Sequence, residues 1–158
     1  MQETIIEIPN YKTIKLIHIV LDYNGTIAKD GILKDEVKII LPKLTTRFKV
    51  HVITADTFGS VNRELKGFDV CVKTLKSDNH TLEKANYVQS LNATNCAAIG
   101  NGNNDMQMIE LAEIGISIIG DEGCSTKSMM KSDLICKSIN DALELFLNTK
   151  RLIATLRE

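Results

Sequence analysis

Four polar stretches stand where apolar runs end or helices begin: Asp22 with Asn24 and Thr26, then Thr54, then Lys84, and last Asn101 to Asp105. A carboxylate can attack phosphorus, a hydroxyl and an ammonium can grip phosphate oxygens, and a further carboxylate can serve a cation. In combination these residue types form a phosphoryl-transfer site. Each stretch also has a plain structural reading. Asn24-Gly25 supplies the positive φ angles of a tight turn, Thr54 can be a structural hydroxyl beside a helix, and Lys84 can be a surface lysine with Lys73 and Lys76 as competitors.

The elements that must position these groups are readable from the pattern. Ile17 to Leu21 is an aliphatic, β-branched run ending in Asp22, as expected of a strand buried on both faces of a parallel sheet. Ligands of open parallel sheets bind at the carboxyl ends of the strands, where Asp22 then lies. Further strands are expected at Lys49–Thr54, Asp69–Leu75, Cys96–Gly100 and Gly115–Ile119, with a sixth at Asp133–Cys136. Helices are expected between them. One starts after an Ala55-Asp56-Thr57 cap, one runs from about Thr81 to Leu91, one follows Asp105, and a helical region spans Ile139 to Leu156. Pro42 predicts a short or broken helix around Val37 to Leu44. Thr4 to Ile8 reads as a short edge strand paired with the main strand. The alternation predicts an α/β, doubly wound, Rossmann-like parallel sheet forming one domain over residues 1–158. The connections are too short to hold a cap domain.

Composition narrows the partners. The 158 residues are 44% hydrophobic and carry nineteen basic against twenty acidic side chains, with no basic block, so neither nucleic acid nor an anionic membrane is the expected partner. No run is long enough to span a bilayer and no cationic leader precedes one, which predicts a cytoplasmic protein. Cys71, Cys96, Cys124 and Cys136 are widely spaced without a Cys-x-x-Cys pair and read as buried free thiols.

The ordered set Asp-Tyr-Asn-Gly-Thr, Val-Ile-Thr, a lysine, and Gly-Asn-Gly-Asn-Asn-Asp resembles the haloacid dehalogenase (HAD) superfamily over almost the whole chain. The nearest likeness is to soluble, capless relatives of the P-type ATPase phosphorylation domain. The resemblance implies a magnesium-dependent phosphatase in which Asp22 becomes an aspartyl phosphate. It further implies that Thr54, Ala55 and Lys84 bind the phosphoryl group, and that Mg2+ sits between Asp22, the Asn24 carbonyl and the fourth motif, with Asn101 and Asp105 as its donors. A phosphorylated small molecule or a protein-borne phosphate is the implied substrate. The open catalytic edge calls for a large substrate or a lid from another subunit, and the resemblance suggests a homo-oligomer.

Two positions depart from the family. Asn24 replaces the aspartate that phosphatases use as general acid and base, and an amide cannot shuttle that proton. Asn101 replaces a magnesium-binding aspartate, leaving one negative charge fewer at a hard-cation site. Asp105 would then carry more of that role, directly or through water and Lys84. Weak magnesium affinity and slow turnover are the expectation, and a catalytically impaired phosphate- or magnesium-binding module of the same fold is the alternative. A flavodoxin-like or receiver-like domain shares the sheet but gives no reason for Gly-Asn-Gly-Asn-Asn-Asp.

Overall fold

β3 (His18–Asp22) is the central strand of a six-stranded, all-parallel sheet, pairing with β6 (Lys49–Thr54) on one side and β8 (Cys96–Gly100) on the other. The computed structural model describes residues 3–56 and 59–158. β7 (Val70–Thr74) closes the sheet beyond β6, while β9 (Ile114–Ile118) and β10 (Leu134–Cys136) extend it beyond β8, giving the order β10-β9-β8-β3-β6-β7. From β3 the chain steps outward through β6 to β7, then crosses back to the opposite side of β3. The reversal falls between β3 and β8, the switch point at which open parallel sheets bind ligands.

Helices cover both faces, as the doubly wound reading requires. Ile19, Leu21, Val52, Ile99 and Ile116 bury one face beneath α1 (Asp35–Thr45) and α6 (Ile139–Leu147). Val20, Ile53 and Ala98 bury the other beneath α3 (His80–Ser90) and α4 (Met106–Leu111). The side-chain period of two along β3 divides the two layers. A short α2 (Ser60–Glu64) follows β6, α5 (Thr126–Lys131) follows β9, and α7 (Thr149–Leu156) packs against β1 (Thr4–Ile8).

Several details differ from the sequence expectation. β1 does not pair with the main strand; it forms its own antiparallel hairpin with β2 (Lys12–Leu16). Asn10, at φ 57, turns the chain back after Pro9, so the nearest strand is the local one. Ile6, Ile8, Ile14 and Leu16 bury that hairpin's inner face. Pro42 does not break α1, which runs through it, because Val37, Ile40, Leu41 and Leu44 are all buried on the packed face and tertiary burial outweighs local preference. The terminal helical region divides at Asn148, which ends α6 and precedes α7. Ala28–Lys29 (β4) and Ile32–Leu33 (β5) form a small antiparallel hairpin across Asp30-Gly31, which the strand expectations did not include. Thr57, assigned to the helix cap, lies outside the described residues; the N-cap of α2 is Gly59, without a side-chain cap, and Asp56 accepts the Val61 N–H from farther upstream. Of the four thiols only Cys96 is buried, and Cys71 is exposed.

A polar chain joins the buried His51 to two partly exposed side chains: His18 Nδ1 lies 2.9 Å from His51 Nε2, and His51 Nδ1 lies 2.8 Å from the Tyr87 hydroxyl. Burial first, then His18 and Lys49, push the His51 imidazole down to about 4. A depressed histidine contributes stability that is complete above its ordinary value of 6.5 and is lost as the pH falls through about 4. The His51 ring resonances are therefore expected to titrate near 4 by NMR, and a midpoint near 6.5 would contradict this packing.

Candidate active site

Asp22 emerges at the carboxyl end of β3, where a tight turn follows it. The Tyr23 carbonyl accepts the N–H groups of Thr26, Ile27 and Ala28, Gly25 takes φ 82, and among the described residues no backbone hydrogen bond engages the Asn24 carbonyl. This turn folds the fully buried Thr26 hydroxyl back onto Asp22, where it donates to Oδ2 at 3.1 Å.

Lys84 arrives from the opposite direction, one turn into α3. Asn79 caps that helix by accepting the Leu82 N–H, and Glu83 accepts the N–H groups of Lys76 and Ser77, fixing the preceding loop. Lys84 is 2% exposed. Its ammonium donates to Asp22 Oδ1 at 2.7 Å, Asp105 Oδ1 at 2.7 Å and Asn104 Oδ1 at 3.3 Å, which occupies its three hydrogens. The competitors are placed elsewhere: Lys73 pairs with Glu83 at 3.8 Å, and Lys76 is exposed.

Asp105 is completely buried. Beyond the bond from Lys84, its Oδ2 accepts the N–H groups of Asn101 and Gly102, each at 3.0 Å, so its oxygens are committed to shaping the fourth motif. Gly100 leaves room for this side chain, since a Cβ there would collide with the Asp105 carboxyl. Asn101 points its Oδ1 toward Thr26 at 3.4 Å and donates from Nδ2 to the Gly123 carbonyl at 3.1 Å.

The electrostatics follow from two carboxylates sharing one ammonium. Burial, then the neighbouring Asp105 charge, raise the Asp22 carboxyl to about 7, against the opposing pull of Lys84 and Thr26. Burial would depress Lys84, but Asp22 and Asp105 outweigh it and hold the ammonium above the ordinary lysine value.

These groups line one cavity of about 700 Å³ at the strand ends. Asp22, Asn24, Thr54, Ala55, Lys84 and Asn101 all face it; buried Asp105 stands behind Lys84. The Thr54 hydroxyl accepts the Asp56 N–H at 3.0 Å, which leaves its hydrogen available to a ligand. Asn24 is engaged elsewhere: its Oδ1 accepts the Gly31 N–H at 2.9 Å, and the Tyr23 hydroxyl donates to the Gly31 carbonyl at 2.9 Å. Asn104, Asp56, Ser60 and Glu122 also belong to the cavity, and sequence reasoning missed them. Asn104 had a signal in the motif itself; Glu122 had none.

The donor set suits a hard cation. Among the described residues no group of three or more His, Cys, Asp or Glu side chains is placed to hold a metal, and the oxygens at the strand ends are of carboxylate, amide and main-chain type. Asp22, the unengaged Asn24 carbonyl and Asn101 Oδ1 are such oxygens, the ligand type magnesium takes.

Solved structures share this architecture. The 3-deoxy-D-manno-octulosonate 8-phosphate phosphatase of Moraxella catarrhalis, solved with magnesium, phosphate and KDO, has a TM-score of 0.69 at 19% identity, covering 90% of this chain and 94% of its own. A Legionella pneumophila protein described as a HAD superfamily (subfamily III A) hydrolase gives 0.70 at 13% identity, over 89% of this chain and 87% of that one. This chain has the HAD fold. The cobalt-bound deoxy-D-mannose-octulosonate 8-phosphate phosphatase of Haemophilus influenzae gives 0.70 at 10% identity, over 86% and 90% of the two chains, so the HAD architecture spans nearly the full length.

No protein-family model matches the chain. Two uncharacterized proteins of Methanocaldococcus jannaschii do: MJ0073 is 54% identical over 61 residues, 39% of this chain and 66% of that protein. The chain thus spans just under two thirds of MJ0073. MJ0072 is 49% identical over 39 residues, 25% of this chain and 89% of that protein, and the chain belongs to one family with it. Among the described residues no helix is long and apolar enough to cross a membrane.

Proposed function

We propose that the chain is a magnesium-dependent phosphohydrolase that acts through an aspartyl phosphate on Asp22. The observation that carries this reading is the Asp22–Lys84–Asp105 chain, two 2.7 Å bonds at the switch point of the HAD sheet. The magnesium and phosphate in the M. catarrhalis structure support it. Asp22 attacks phosphorus, the phosphorus–oxygen bond to the leaving group breaks, and water then cleaves the acyl phosphate to release inorganic phosphate and regenerate the carboxylate. Thr54 and the Ala55 N–H hold phosphoryl oxygens, Lys84 joins them by giving up its long bond to Asn104, and Asp105 positions Lys84 rather than binding the ion itself. Asp22, the Asn24 carbonyl and Asn101 would hold Mg2+, which supplies charge neutralisation at the transferring group.

A phosphorylated small molecule in the cytoplasm is the proposed substrate, with a second copy of the chain over the open edge. Hydrolysis is slow because the side chain two residues after the nucleophile is an amide occupied with Gly31. That observation also favours a second reading, a regulatory module that binds phosphate and magnesium without turnover.

The test is hydrolysis of 4-nitrophenyl phosphate with and without Mg2+, beside Asp22→Asn. Slow, Mg2+-dependent turnover that the variant loses, with a phosphoryl mass increment on the Asp22 peptide, is the expected result. Equal background rates in both proteins and no labelled peptide would select the binding module.

A further inference from the structure

We infer that Glu122 supplies the negative charge that Asn101 withholds from the cation site. This rests on the cation-dependent reading above and extends it to a residue outside the four motifs.

The loop after β9 is a tight turn. The Gly123 N–H donates to the Gly120 carbonyl at 3.0 Å, and the Gly123 carbonyl accepts from Asn101 Nδ2. Lys34 grips Asp121 at 2.8 Å and anchors the turn from outside. Gly120 packs against the backbone of the Asp22 turn, its absent Cβ falling 3.2 Å from the Gly25 carbonyl oxygen. These contacts present Glu122 to the cavity that Asp22, Asn24 and Asn101 line. Its carboxylate stands so close to Gly25 that a Cβ there would collide with Oε2, and the same point lies 3.0 Å from Asn101 Nδ2. Gly25 is thus required twice, by its positive φ and by this approach. Among the described residues no hydrogen bond or ion pair engages the Glu122 carboxylate, while its neighbour Asp121 is taken by Lys34.

Charge counting gives the arrangement its sense. Asp22 and Asp105 with Lys84 leave one net negative charge against a doubly charged cation; Glu122 brings the second. Ligand charge is the main lever on affinity at such oxygen sites. The substitution at 101 is coupled to it. An amide can donate to the Gly123 carbonyl while its Oδ1 faces the cavity, whereas an aspartate at 101 would lose that bond and set its carboxylate against Glu122. The charge has moved from the strand end to the next loop.

Mn2+ binding to the free protein, measured by electron paramagnetic resonance and calorimetry, tests this without reference to turnover. Glu122→Gln is expected to weaken Mn2+ binding roughly 10–100-fold, the range for losing a carboxylate partner of a metal site, with an unchanged Tm because the residue is exposed. Glu7→Gln, which removes one exposed charge on β1, away from the cavity, is expected to stay within about twofold of wild type, since a distant exposed charge is screened. Asn101→Asp combined with Glu122→Gln restores binding that Glu122→Gln alone loses. The inference falls if Glu122→Gln binds Mn2+ as tightly as wild type, or if Glu7→Gln weakens it equally. A wild-type protein that binds no divalent cation overturns the cation-dependent reading and this inference together.

Discussion

Lys84→Met is expected to destabilise the protein by about 3–5 kcal/mol at pH 8, the range for removing one partner of a buried ion pair. The methionine keeps most of the apolar stem, so the loss isolates the charge. Without the ammonium, Asp22 and Asp105 face each other buried and uncompensated, and Asp105 retains only the N–H groups of Asn101 and Gly102. Denaturant unfolding at two pH values reads this directly. The deficit should shrink at pH 5, where Asp22, already held near 7 by burial and Asp105, takes up a proton in the folded state. Phosphate hydrolysis should fall by roughly 10²–10³-fold, as when one preorganised donor is removed from a transition-state site. A variant as stable as wild type at pH 8 would mean that the three groups do not form one electrostatic unit.

Asp22→Asn should separate activity from stability. Turnover should drop to background, because an amide cannot form the acyl phosphate. The folded protein should instead gain ~1–3 kcal/mol at pH 8 in metal-free buffer, taking each unit of pKa displacement as about 1.4 kcal/mol and discounting for relaxation. Asp22 has its folded value raised from 3.8 to about 7, so its favourable contribution is complete below 3.8 and is lost as the pH rises through about 7. Asparagine removes that loss and leaves Lys84 with Asp105 as a balanced pair. The gain should disappear toward pH 4, and Tm should follow at about 2–4 °C per kcal/mol for a chain of this length. A Tm below that of wild type at pH 8 would contradict the raised carboxyl.

The strand ends were legible because each apolar run stops at or just before a polar residue: Asp22, Thr54 and Gly100, the last followed by Asn101, fall where the pattern placed them. Lys84 was legible only through its order among the motifs, since nothing local distinguishes it from Lys73 or Lys76. Its burial, with Val88 on the inner face of α3, is a tertiary fact. The Asn24 clamp on Gly31 was not legible, because the hairpin that brings its partner back depends on Asp30 taking φ 51. Pro42 misled because propensity is local while the buried face of α1 is not. Glu122 was hidden for the same reason: an acid in a glycine-rich turn ordinarily means a solvated loop, and only its approach to Gly25 gives it a role.

The position of β3 also has a kinetic meaning. Both its neighbours are parallel and distant in sequence, β6 on one side and β8 on the other. Such pairings require loop closure before any contact rewards them, which slows their formation. Lys84 reaches Asp22 and Asp105 only after both crossovers have closed. A folding chain thus has no assembled site while its core is still open, and recovery of phosphate binding on refolding should lag behind the appearance of helix.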